Sequence, residues 1–300
     1  MNTTLHHKVS VLCPLAASLG ESPVWHAERR SCLWVDILKK KLYEYSWEKK
    51  ALRCHDLRRY VSSVIPGTDG QLYLGLQGGI GKLNPDSGDL TWITDLGIDW
   101  TEHRCNDGAA DSQGRIWMST MEMDCRNEAG DVYAIEGNAQ VTKKIENVSI
   151  SNGPVWSADN KRLYHTDSAT RQVKSYVYEE ESGNISFERV AVEIPKAMGL
   201  PDGMAMDEEG MLWIALWGGS CVSRWNISTG KMVDYISLPA PHVSSCAFVG
   251  DELDHLLITT ARKDMTEEQL EEFPESGHIF IIRPGVRGVP RSFCSLLNNE

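Results

Sequence analysis

The sequence predicts an all-β protein, a six-bladed β-propeller with four-stranded antiparallel blades. Three observations carry this. The run Glu21-Ser22-Pro23-Val24-Trp25 recurs as Asn152-Gly153-Pro154-Val155-Trp156, and the match continues without a gap to Asp36 and Asp167. A second echo pairs Asn106…Asp111-Ser112-Gln113-Gly114-Arg115-Ile116-Trp117 with Asp202…Asp207-Glu208-Glu209-Gly210-Met211-Leu212-Trp213. Six units begin near Glu21, Val61, Asn106, Asn152, Asp202 and Val243, each roughly 40–50 residues long, the period of propeller blades.

Each unit opens on a short apolar or small-residue run, such as Val61-Ser62-Ser63-Val64-Ile65 or Val243-Ser244-Ser245-Cys246-Ala247-Phe248. A polar turn follows, as at Asp69-Gly70, Asp111–Gly114, Asp159-Asn160, Asp207–Gly210 and Gly250-Asp251. An aromatic or aliphatic strand comes next, for example Gln71–Leu76, Arg115–Met118 or Met211–Leu216. A third strand alternates, as in Asp131-Val132-Tyr133-Ala134-Ile135, and a fourth lies beyond turns such as Ser87-Gly88 or Ser228-Thr229-Gly230. Short strands broken by Asp, Asn and Gly turns read as consecutive hairpins. Met265–Phe273 is the one expected helix, an acidic insertion closed by Pro274. With no linker or low-complexity segment, residues 1–300 are expected to form a single propeller domain; a β-sandwich array is the competing architecture.

The chain has 300 residues and a formal net charge of −12, which argues against a nucleic-acid partner. No run reaches the length of a membrane span, and Cys13-Pro14 interrupts the mildly apolar Val9–Leu19 stretch, so no signal peptide is expected. The eight cysteines are scattered without a C-x-x-C pair. That pattern suits reduced thiols in a cytoplasmic protein. A monomer is the default expectation.

If the units surround an axis, Glu21, Asn106, Asn152 and Asp202 meet at the channel mouth. Asn-Gly and Asp-Gly pairs ordinarily mark turns. Oxygen-bearing heads on four selected units, against Val61-Ser62 and Val243-Ser244 on the other two, go beyond what a turn requires. Two carboxylates with amide oxygens form a hard site suited to Ca²⁺, Mg²⁺ or Mn²⁺; Zn²⁺ also accepts carboxylate. Ca²⁺ is the first expectation.

The chain resembles the SMP-30/gluconolactonase/LRE family. The resemblance rests on Gly20–Trp25, Arg104-Cys105-Asn106-Asp107-Gly108, Ile150–Ser157, Leu200-Pro201-Asp202-Gly203-Met204 and the tail Ser276-Gly277-His278-Ile279-Phe280…Pro284–Gly288. It implies a six-bladed propeller with one catalytic divalent cation. By motif, Glu21, Asn152 and Asp202 would be metal ligands, and Arg104 and Asn106 would bind substrate. An acidic substrate contact is implied after Thr120-Met121, with Asp124 favoured by spacing and Glu122 the alternative.

The expected activity is metal-dependent hydrolysis of a sugar-acid lactone to the aldonate. The cation polarises the carbonyl, Asp202 or metal-bound hydroxide takes the proton of the attacking water, and Arg104 or Asn106 stabilises the developing charge or grips sugar hydroxyls. Two rivals stand beside it: a metal-dependent phosphoester or organophosphate hydrolase, and a non-catalytic calcium-binding regulatory propeller. The G-x-S-x-G and H-E-x-x-H patterns are absent from the sequence. Cys105 is expected to be a packed thiol and His103 a surface residue near the mouth. His6-His7 are expected to dangle. Trp25, Trp34, Trp117, Trp156 and Trp213 are expected in the core, and Trp217 is the candidate substrate-facing aromatic.

Overall fold

The computed structural model describes residues 9–296; His6-His7 lie outside them. Among the described residues twenty-four strands form six four-stranded antiparallel sheets. The inner strands of blades one to six are Gly20–His26, Val61–Pro66, His103–Ala110, Ser151–Trp156, Leu200–Met206 and Val243–Val249. Their starts fall within three residues of the positions where the sequence units begin. Each inner strand packs against its two neighbours, blade six against blade one, so the ring closes. The outermost strand of blade six comes from the other end of the chain: Ser10–Cys13 pairs with Ile279–Ile282 through Ser10↔Ile281 and Val11↔Phe280. The circle is thereby held by main-chain hydrogen bonds, and blade six gains its fourth strand.

The core is not one mass. Apolar side chains gather in six slabs, one between each pair of adjacent blades, because both faces of every sheet must be covered. Of the tryptophans expected in the core, Trp25, Trp34, Trp117 and Trp213 are buried there and Trp156 is half-buried against it. Trp34, Trp117 and Trp213 are fully buried, and Trp117 meets Trp156 edge-on at 5.8 Å across the blade three–four slab.

The second echo is a structural anchor. Asp111 Oδ2 accepts Trp117 Nε1 at 2.9 Å, and Asp207 Oδ2 accepts Trp213 Nε1 at 2.9 Å. The same carboxylates cap their own turns through Arg115 N and Met211 N. Each aspartate thus ties a tight turn to a core indole.

The tail crosses the end of the ring opposite the strand starts. It bridges Asp207↔Gly288, Ala110↔Ser292 and Gly67↔Cys294, touching blades five, three and two. Phe293 stands edge-on to His26 at 5.4 Å. The expected helix is Glu267–Glu272, started by a capping box of Thr266 and Gln269. Among the described residues no helix is long and apolar enough to cross a membrane.

Candidate metal and substrate site

All six inner strands carry a β-bulge near their start. In blade one Glu21 pairs with Val35 and Val24 with Leu33, so Ser22 and Pro23 oppose the single residue Trp34. Blade four repeats this: Asn152 pairs with Thr166 and Val155 with Tyr164. In both, the oxygen-bearing residue is the last one paired. The next residue is left-handed, Ser22 at φ 50° and Gly153 at φ 82°, a conformation that glycine adopts without strain.

Blades three and five differ by one position. Cys105 pairs with Thr120 and Gly108 with Met118, leaving Asn106 and Asp107 in the bulge. Pro201 pairs with Leu216 and Met204 with Ile214, leaving Asp202 and Gly203. Here the oxygen-bearing residue is the first one unpaired. Regular alternation would turn neighbouring positions to opposite faces; the bulges re-aim them. The four heads are therefore two pairs of equivalents, Glu21 with Asn152 and Asn106 with Asp202, rather than one set. In blades two and six the bulged residues are Ser62 and Ser244, whose hydroxyls donate to the Gly75 and Gly20 carbonyls.

The strand entries are pinned by the residues that end the first echo. Asp36 accepts Ser18 N at 2.9 Å and Leu19 N at 3.1 Å. Asp167 does the same for Ser149 N and Ile150 N, each at 3.0 Å.

At this mouth lies a cavity of about 170 Å³ whose lining includes Glu21, Arg104, Asn106 and Asp202. Asn152 sits behind, 1% exposed. It is tied into the cluster by Asn106 Nδ2, 3.4 Å from its Oδ1, and by donating to Ser168 Oγ at 3.0 Å. Ser168 in turn donates to the Pro201 carbonyl at 2.6 Å, next to Asp202. Arg104 donates to Asn106 Oδ1 at 2.6 Å, and Asn106 donates to the Ser151 carbonyl at 2.7 Å. Asn106 is thus held by its own neighbours.

Burial pushes the carboxyls of Glu21 and Asp202 well above their ordinary range. The charges of Asp202 and Asp107 add to this at Glu21, and that of Asp107 at Asp202. Main-chain N–H groups of Ser22 and Gly203 and the Arg104 guanidinium oppose it. Among the described residues neither carboxylate has an ion-pair partner within 4.0 Å. Two crowded carboxylates without a matched cation, flanked by an amide oxygen, are a hard donor set that fits a divalent ion. Among the described residues no three His, Cys, Asp or Glu side chains gather into a metal-type cluster; this set has two carboxylates and needs its amides.

The acidic contact expected after Thr120-Met121 is not among the cavity-lining residues. Glu122 Oε2 accepts Asp124 N at 2.9 Å and Arg126 N at 3.1 Å, and its other oxygen pairs with Arg126 at 3.0 Å. Asp124 is exposed on the same turn. The cavity is lined on this side by Met121 and Cys125 instead. Cys105 is packed: its thiol donates to the Leu76 carbonyl at 3.3 Å, and burial pushes its pKa up to about 12. His103 spans the Asp99 and Ala129 carbonyls, each 3.0 Å away. Trp217 does line the cavity, with its ring stacked on His242 at 4.3 Å.

Sequence reading did not single out Ile37, Cys125, Ser168, Lys263 or Asp264. All five follow the second strand of their blade. For Ile37 and Ser168 a signal existed, since they come directly after the matched Asp36 and Asp167.

A family model described as SMP-30/Gluconolactonase/LRE-like region matches residues 19–262. The "Putative sugar lactone lactonase YvrE" of Bacillus subtilis (strain 168) is 32% identical over 264 residues, 88% of this chain and 90% of its own. Regucalcin of Danio rerio is 32% identical over 286 residues, 94% and 97% of the two chains. Among solved structures, luciferin-regenerating enzyme matches with a TM-score of 0.90 at 28% identity, covering 97% of this chain and 100% of its own. A regucalcin from Agrobacterium tumefaciens, described as a calcium-binding protein, matches with a TM-score of 0.91 at 24% identity over 98% and 99%. The last likeness establishes shared fold.

Proposed function

Since the chain belongs to the SMP-30/gluconolactonase/LRE-like family, we propose that it is a divalent-metal-dependent lactonase opening a sugar-acid lactone to the free aldonate. The observation that carries this is the buried Glu21 and half-buried Asp202 in the lining of one cavity that also holds Arg104 and Asn106. The relative named for sugar lactone hydrolysis supports the reaction class, and the neighbour named as calcium-binding supports Ca²⁺ as the first ion to test. Glu21, Asn152 and Asp202 would hold the cation, with Mg²⁺, Mn²⁺ and Zn²⁺ as alternatives. Bound there, it would supply Lewis-acid polarisation of the lactone carbonyl.

The chain's own groups then do the following. Asp202, a carboxylate in the cavity lining beside Glu21, would take a proton from water as the water oxygen adds to the carbonyl carbon. Arg104 spends one nitrogen on Asn106 Oδ1 and the Cys105 carbonyl, leaving its other N–H donors to meet the charge that develops on the carbonyl oxygen. The ring C–O bond breaks, and the leaving oxygen takes the proton held by Asp202. Product is the open hydroxy acid. The apolar cavity wall limits water at the reacting carbon.

We further propose a cytoplasmic monomer acting on a small molecule, with no nucleic-acid or membrane partner. The net charge of −12 and eight free cysteines support this. Acid release from gluconolactone, galactonolactone, xylonolactone and arabinonolactone tests the activity, with each of the four ions and with chelator. Ion-dependent turnover of at least one is expected. Turnover of none, with ion binding intact, would leave a binding propeller instead.

A further inference from the structure

The cavity lining combines two opposite chemistries. Glu21, Arg104, Asn106 and Asp202 form its polar end, Leu19, Ile37, Met121, Ile150, Leu200 and Trp217 supply its apolar lining, and Cys125, Ser168, Lys263 and Asp264 complete it. Leu19, Ile37 and Met121 are nearly fully buried, and Ile150, Leu200 and Trp217 are half-buried.

The polar groups left to meet distal hydroxyls are few. Ser168 Oγ is already donating to Pro201 O and accepting from Asn152. The Asn106 amide is committed to Arg104 and Ser151. Lys263 and Asp264, also in the lining, are paired with each other at 2.5 Å. Glu122 is spent within its own turn. One face of Trp217 is covered by His242. A polyhydroxylated ring whose carbonyl reaches the polar end would press its distal hydroxyls against hydrocarbon. Those hydroxyls would lose water and gain few partners. A ring with methylene, methyl or alkyl groups there would lose nothing and would bury apolar surface.

We propose that the site prefers lactones whose atoms distal to the carbonyl are apolar, that is deoxy or alkyl-substituted lactones, over fully hydroxylated aldonolactones. This rests on the lactonase reading and extends its substrate class beyond sugar-acid lactones. The bond chemistry is unchanged: water adds to the carbonyl carbon, the ring C–O bond breaks, and the leaving oxygen is protonated.

The test compares three six-membered lactones on the full chain under saturating divalent ion: glucono-1,5-lactone, δ-hexalactone and δ-decalactone. Acid release gives kcat/KM for each. δ-Decalactone is expected to exceed gluconolactone by at least about tenfold, the scale on which an apolar pocket discriminates. In Leu200→Gln the ratio of the two should shift about tenfold towards gluconolactone. Wild-type preference for gluconolactone, or an unshifted ratio in Leu200→Gln, overturns the proposal while leaving lactone hydrolysis standing. Turnover of no lactone with any ion overturns the lactonase reading and this proposal together.

Discussion

The Asp107 carboxylate of blade three accepts the main-chain N–H of Gly153 in blade four at 2.9 Å. Its other oxygen accepts Gly108 N at 2.8 Å. Asp107 follows Asn106 and Gly153 follows Asn152, so one side chain locks together the two bulges that present the asparagines. Asp107→Ala would leave two buried N–H donors unpaired, at about 1–3 kcal/mol each. The expected outcome is a lower melting temperature and about tenfold weaker divalent-ion affinity by titration calorimetry. Asp107→Asn, which keeps an acceptor, should lose less. Unchanged ion affinity in Asp107→Ala would mean that the bulges hold themselves.

The site should also couple ion binding to pH. Burial and neighbouring negative charge raise the Glu21 and Asp202 carboxyls in the folded protein. In acid below the ordinary carboxylate range both folded and unfolded chains hold these protons, and stability is indifferent to them. As pH rises past that range the unfolded chain releases protons that the folded chain retains, so the ion-free protein loses stability on approach to neutrality. A bound cation takes the protons' place. The rise in melting temperature on adding Ca²⁺ should therefore grow between about pH 5 and 8. A rise that is flat across that interval would contradict the coupling.

The Asp111 anchor gives a prediction of the opposite kind, about stability and not activity. Its Oδ2 accepts Arg115 Nε at 2.7 Å, Trp117 Nε1 at 2.9 Å and the Tyr178 hydroxyl at 2.8 Å. Asp111→Ala removes the charge partner of the buried Arg115 guanidinium, which keeps only Tyr178 and the Glu180 and Glu181 carbonyls, and should cost about 3–5 kcal/mol. Because Asp111 lies at the tail-covered end of the ring, kcat/KM of the folded fraction should stay within about twofold of wild type. A urea unfolding curve with an assay on the same sample checks both halves.

Arg104 separates charge stabilisation from grip. If its free N–H groups face the developing oxyanion, Arg104→Met lowers kcat by about 10²–10³. A rise in KM with kcat preserved would assign it to holding the substrate instead.

The six blades were legible because strand, turn and indole recur at a fixed period, and Asp111–Trp117 and Asp207–Trp213 recur because they are one anchor used twice. The first echo was legible for the same reason, down to Asp36 and Asp167 holding equivalent strand entries. The one-residue offset of Asn106 and Asp202 was not. Bulges break the two-residue alternation on which a sequence-based facing assignment depends, and the extra residue is visible only once strands are in register. The rim was hidden for another reason. Cys125, Lys263 and Asp264 sit in loops that differ from blade to blade, so no repeat marks them. Spacing from Thr120-Met121 carries no sign that Glu122 caps its own turn through Asp124 N and Arg126 N.

The central claim is that Glu21, Asn152 and Asp202 share one divalent cation. Anomalous diffraction from crystals soaked in Mn²⁺, recorded at the manganese edge, tests it most directly. The account predicts a single strong peak with side-chain oxygens of all three residues about 2.0–2.6 Å away. No peak at the channel mouth, or one bonded to other residues, would contradict it.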